Sequence, residues 1–165
     1  MKMFKKWACS ILLGALVGTF SSSAFAEPPM TVQMKALSAG LAGEMATAAL
    51  AECDRRGYLV SVAVVNRDGN LTAFLRHPLA SPMTIDVSQG KAYAAANLRA
   101  STGEVSDASG LMHAPKVILV RGGLPVDVAG NFYGGIGVSG ADSATDEMCA
   151  RVGIDAIRET LEFGE

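Results

Sequence analysis

The chain is poor in the side chains on which most hydrolytic and metal-dependent enzymes rely. It has only two histidines, His77 and His113, and a single tryptophan. There is no H-E-x-x-H and no C-x-x-C, so the common ligand spacings for catalytic or structural zinc are missing. No G-x-S-x-G elbow presents a serine nucleophile, since Gly137-Val138-Ser139-Gly140 has the wrong spacing. Positive charge is also in deficit, with 14 Lys and Arg against 16 Asp and Glu. That balance argues against nucleic acid and anionic membrane surfaces as partners, because both call for a basic patch. After residue 26 no apolar run approaches the ~20 residues of a spanning helix, so no membrane span is expected.

What is present begins with a patterned N-terminus. Met1-Lys2-Met3-Phe4-Lys5-Lys6 is basic, residues 7–20 are apolar, and Ala24-Phe25-Ala26 has the small-x-small form that signal peptidase reads. The expectation is a signal peptide over residues 1–26, a mature chain starting at Glu27, and a periplasmic or secreted location. Removing 26 of the 165 residues leaves 139, with 11 Lys and Arg against 16 Asp and Glu and a formal charge of −5. That length suits one domain, residues 27–165, with a core of its own. Cys53 and Cys149 survive cleavage. An oxidising compartment permits one bridge between them, two buried thiols would pack equally well, and the sequence leaves both open.

Periodicity supplies the elements. Thr31 reads as an N-cap, followed by an apolar face at Met34, Leu37, Leu41, Met45 and Ala48 and a stop at Gly57. Residues 58–66 are rich in valine and read as a strand. Asp68-Gly69 is a hairpin signal, and residues 71–76 return as a second strand. Residues 84–100 read as an alanine-rich helix and residues 101–115 as an irregular connection. Strands are expected at 116–120, 124–128 and 132–138, then a helix starting near Ser143 and Asp146. The order α-β-β-α-β-β-β-α implies an α/β chain of the α+β type, with an antiparallel five-stranded sheet flanked by helices.

Side chains able to hold iron or a haem are few. His113 and His77 lie in expected loops beside proline, and Met112 adjoins His113. Tyr93, Tyr58 and Tyr133 add phenol oxygens, since His, Met and Tyr all serve as axial haem ligands. His113 is preferred over His77, because it precedes an expected buried strand while Pro78 fixes His77 in a turn. Glu159 and Glu162 form an E-x-x-E spacing that places two carboxylates on one helix face, suited to a hard cation or ferric iron. The glycine-rich run 134–140 could cradle an anion but more simply lets a strand pack closely against a helix or a second subunit. The glycine- and alanine-rich stretch from 122 to 141 carries little charge, which points to a surface buried between subunits. No constellation of nucleophile, base and oxyanion donors marks an enzyme.

Four strings together carry a resemblance: Val62-Ala63-Val64-Val65-Asn66-Arg67-Asp68-Gly69-Asn70-Leu71, Gly90-Lys91-Ala92-Tyr93-Ala94-Ala95, Gly122-Gly123-Leu124-Pro125-Val126 and Gly134-Gly135-Ile136-Gly137-Val138-Ser139-Gly140. With Asp86 and Asp146-Glu147 they resemble the GlcG/HbpS-like family, related to the PduO C-terminal domain, over roughly residues 31–162. The resemblance implies a profilin-like domain and a homo-oligomer, often octameric. It also implies haem binding in capture, storage or sensing, with a periplasmic module for another small molecule such as an organic acid, or a purely structural oligomer, as the alternatives. The chain departs from the family pattern at Arg76-His77-Pro78-Leu79-Ala80, where relatives carry a more acidic turn.

Overall fold

The computed structural model describes residues 29–105 and 110–164, so the expected signal peptide and the Glu27 cleavage point lie outside the described residues. The chain divides into Met1–Val32 and Gln33–Glu165, and all described helices and strands fall in the second unit.

Helix α1 spans Ala39–Arg55. Its N-cap is Ser38, whose hydroxyl accepts the Leu41 N–H at 3.2 Å. Thr31 is therefore not the cap. The apolar spacing runs on upstream of the helix, but Val32 and Met34 are exposed and residues 33–37 carry no helix. The helix stops at Gly57, with φ of 83°. Gly57 N–H bonds Asp54 C=O at 2.8 Å and Tyr58 N–H bonds Cys53 C=O at 3.0 Å, the paired bonds of a Schellman ending.

Strands β1 (Ser61–Asn66) and β2 (Leu71–Arg76) form the expected hairpin around Asp68-Gly69, with Gly69 at φ 81°. The Asn66 side chain organises the turn by accepting from the N–H groups of Asp68 and Asn70. Helix α2 spans Met83–Leu98, β3 spans Gly123–Val128, β4 spans Asn131–Ser139 and α3 spans Ser143–Phe163. Asp142 caps α3 by accepting from the N–H groups of Ala144 and Thr145.

The sheet is antiparallel with order β2-β1-β4-β3, and helices flank it on both faces. Because β1 is central and covered on both sides, its residues are all buried or nearly so, and its sequence reads as a continuous valine-rich run. Val62 and Val64 point with Ile136 and Val138 toward Met45, Ala49 and Ile157 of α1 and α3. Ala63 and Val65 point with Phe132 toward Ala92 and Ala96 of α2.

Among the described residues the sheet has four strands, not the five expected. Residues 116–120 form no ladder. Lys116 adopts a left-handed backbone, with φ of 66°, and the apolar Ile118 seats on α2 instead. The outer edge of β3 is already occupied. Gly123 N–H donates to Thr102 Oγ1 at 2.9 Å and Gly123 C=O accepts from Thr102 N–H at 3.0 Å. Two residues on, Pro125 has no N–H to offer a further strand.

The glycines of β4 serve packing inside the protomer. A Cβ on Gly137 would lie 2.5 Å from Ala92 N, and one on Gly135 the same distance from Ala92 O. Only glycine lets α2 rest backbone to backbone on the sheet. Most of the stretch from 122 to 141 is therefore buried beneath helices of the same protomer, and the expectation that it forms a face between subunits does not hold. On the other face Cys53 of α1 and Cys149 of α3 form a disulfide, with Cα atoms 5.8 Å apart. Both residues are fully buried, so of the two states the sequence left open the bridge is the one found.

Candidate functional site

A cleft lies on the α2 side of the sheet, with a volume of about 630 Å³. The hairpin tip contributes Gly69, Asn70 and Leu71, and β1 contributes Val65. Helix α2 contributes Asp86, Gln89, Gly90 and Tyr93, which recur at helical spacing and so share one face. The irregular segment contributes Lys116, Val117 and Ile118. This volume sits within the ~300–1,000 Å³ usual for small-molecule pockets, and the mix of apolar walls with a few polar groups is also usual.

Two glycines shape this cleft. A Cβ at Gly90 would fall 2.6 Å from Ile118 Cγ1, so glycine there admits the Ile118 side chain onto α2. A Cβ at Gly69 would fall 2.5 Å from Tyr93 Cδ2, so the hairpin tip presses on the tyrosine ring. The Lys116 ammonium stands 5.9 Å from the centre of that ring. Among the described residues the Tyr93 hydroxyl has no hydrogen-bond partner.

Of the candidate ligands named from the sequence, Tyr93 is the one that lines this cleft. His113 and Met112 lie on a 3-10 turn, Leu111–His113, and both are exposed. His77 lies after β2 and is engaged at both nitrogens. Its Nδ1 accepts from Leu79 N–H at 3.1 Å, and its Nε2 lies 3.6 Å from Asp54 Oδ1. With Nδ1 accepting, a neutral ring carries its proton on Nε2, which leaves no free lone pair for iron. Glu159 and Glu162 are exposed near the end of α3, where Glu162 lies 4.0 Å from Arg158. Among the described residues no group of three or more His, Cys, Asp or Glu is placed to hold a metal ion. A second recess, about 350 Å³ beside β3 and α3, contains Arg99, Arg151 and Arg158 but none of the candidate haem or metal ligands named from the sequence.

Sequence reasoning missed the charged clamp behind α2. Lys91 Nζ donates to Asp146 Oδ2 at 2.8 Å and to Val138 C=O at 2.9 Å, and both side chains are almost fully buried. Asp146 Oδ1 accepts from Ala141 N–H at 3.0 Å. Burial pushes the Asp146 carboxyl above the usual aspartate range, and the Lys91 bond opposes that rise. Next to it, Glu147 accepts from Arg121 Nε at 2.8 Å and from Arg151 at 3.3 Å. The Arg121 bond foremost holds the Glu147 carboxyl below the usual glutamate range. Lys91 stands between Gly90 and Tyr93 in sequence, so this clamp ties the cleft-lining helix to β4 and α3. Its signal was a single lysine inside the otherwise uncharged, alanine-rich run 90–96.

Residues 37–155 match the family model described as haem degrading protein HbpS-like. An uncharacterised 15.0 kDa protein from the dhaT-dhaS intergenic region of Citrobacter freundii is 30% identical over 136 residues, covering 77% of this chain and 96% of the relative. A double mutant of Streptomyces reticuli HbpS has a TM-score of 0.74 at 33% identity, covering 84% of this chain and 98% of that one. A PduOC–haem complex has a TM-score of 0.70 at 28% identity, covering 74% of this chain and 96% of that one.

Proposed function

The chain belongs to the HbpS-like family, and from that premise we propose that it is an exported haem-binding protein for haem capture, storage or sensing. The observation that carries the reading is the cleft between α2, the hairpin tip and residues 116–118, with Tyr93 on its wall. The residues present suit a porphyrin. Val65, Leu71, Val117 and Ile118 supply apolar surface for a flat ring, and a tyrosine oxygen is an established type of axial ligand to ferric haem. Tyr93 would hold the iron, while Gly69 and Ile118 set its ring and the adjoining wall. Haem, once bound, would bring redox-active iron to the site. The haem complex of the PduOC relative supports the same reading.

The test is titration of the purified protein and of Tyr93→Phe with hemin, followed in the Soret region. Wild type should give a saturable, shifted Soret band, and Tyr93→Phe should shift the band and weaken binding. A wild-type spectrum identical to free hemin would sink the proposal. A second reading, an organic acid in the same cleft without haem, is favoured by Lys116 and Asn70 among its lining residues.

Export is part of the proposal. It is supported by the N-terminal pattern of residues 1–26 and by the buried Cys53–Cys149 bridge, since such bonds persist in oxidising compartments. Intact mass of periplasmic material should begin at Glu27, and a full-length chain in the cytosol would overturn it. Assembly into a homo-oligomer, an octamer included, is likewise proposed. Its support is the exposed Leu71, Leu79 and Met83 around β2 and the start of α2. Light scattering that showed a monomer alone would remove it.

A further inference from the structure

Lys116 is built into the cleft at a conformational penalty. It is a non-glycine residue with a left-handed backbone, φ 66°, directly after Pro115. A Cβ-bearing residue adopts that geometry only where its surroundings hold it there, and such residues gather at ligand sites. The result places the ammonium 5.9 Å from the centre of the Tyr93 ring, at the wall of the cleft. Among the described residues Lys116 has no ion-pair partner, whereas the buried Lys91 does. The cleft is also electrically lopsided. Asp86, the single carboxylate among the described lining residues, stands two helical turns before Tyr93 on the same face of α2, a separation of ~10 Å along the axis.

We infer that Lys116 reads a carboxylate at the edge of the bound molecule and, with Asp86 repelling the same group, fixes which way round a flat, apolar, carboxylate-bearing ligand enters. The inference deepens the reading of this cleft as a porphyrin site and rests on it. Lys116 supplies a point charge with three donors at the rim, Asn70 adds an amide nearby, and Val117 and Ile118 carry the apolar body. A ligand with no peripheral carboxylate would lose that contact and its preference for one orientation.

The experiment separates Lys116 from iron ligation by using metal-free protoporphyrin IX and its dimethyl ester. Both are titrated by fluorescence into wild type, Lys116→Gln and Lys116→Arg, with hemin titrated into the same proteins by absorbance. Loss of a charge-assisted bond predicts about tenfold weaker binding of the free acid to Lys116→Gln. Lys116→Arg should stay close to wild type, and the dimethyl ester should bind wild type and Lys116→Gln alike. If the acid binds Lys116→Gln as tightly as wild type, or the ester binds wild type as tightly as the acid, the inference is wrong even where hemin binds. If hemin gives no Soret shift but the acid still depends on Lys116, the haem reading fails and the carboxylate inference stands. If no porphyrin binds wild type, both fall.

Discussion

Gly69 at the hairpin tip and Tyr93 on α2 are in such close register that a single methyl group cannot be added between them. A Cβ on Gly69 would sit 2.5 Å from Tyr93 Cδ2 and 2.8 Å from Asn97 Nδ2. The same residue needs φ of 81° to close the turn. Turn chemistry and site packing therefore make the same demand at one position.

Gly69→Val should accordingly destabilise the domain by more than the ~1–2 kcal/mol of a strained turn alone. It should also disturb Tyr93. Chemical denaturation gives the first effect, and the tyrosine absorption or hemin spectrum gives the second. An unchanged midpoint would show that the tip rearranges without strain.

The Cys53–Cys149 bridge joins α1 to α3 across a sequence separation of 96 residues. A loop of that length restricts the unfolded chain substantially. Reduction, or replacement of both cysteines by alanine, should lower stability by about 2–5 kcal/mol. Thermal melts with and without reductant test this, and identical melts in both conditions would contradict it.

Lys91 and Asp146 form an ion pair that neither residue can abandon cheaply. Lys91→Met leaves a buried carboxylate without its cation and should cost about 3–5 kcal/mol. Adding Asp146→Asn should recover much of that, because the amide oxygen can still accept from Ala141 N–H. The pH dependence has a fixed sign. The Asp146 carboxyl is raised in the folded protein, so its contribution is most favourable below the unfolded aspartate range and is lost as pH rises through the folded value. Lys91→Met should steepen that loss, which denaturation curves at several pH values would reveal.

Glu147 runs the other way. Its carboxyl is held down chiefly by the Arg121 bond, so the stability it lends is present above an ordinary glutamate's ~4.3 and fades as pH falls through the lower folded value. Glu147→Gln should flatten the stability profile on the acid side of an ordinary glutamate's ~4.3. Because Arg121 is half-exposed, the effect should also shrink in high salt. A variant with the same acid limb as wild type would assign that limb to other carboxylates.

Much of the candidate site was legible as residues and little of it as a place. Asp86, Gln89 and Tyr93 share one face of the expected helix by their spacing alone, yet nothing local shows that this face confronts Lys116. His113 and Met112 looked suitable because they precede an apolar run expected to be a strand. That run has no free edge to join, since Thr102 bonds Gly123, and the turn stays at the surface. His77 carries the right ring, but it lies away from the cleft, with Nδ1 accepting from Leu79 N–H and Nε2 3.6 Å from Asp54.

Most of the local elements are legible in the chain, because they depend on neighbours a few residues apart; the start of α1 and the run 116–120 are the exceptions. The valines of 60–65, the Asp68-Gly69 turn, the Gly57 stop and the alanines of α2 each act within one turn or one hairpin. Long-range packing sets the four-strand sheet, the Cys53–Cys149 bridge, the Lys91–Asp146 clamp and the Tyr93–Lys116 cleft. Those join positions separated by as many as 96 residues, and their free energy comes from burial and pairing that exist only once the helices lie on the sheet.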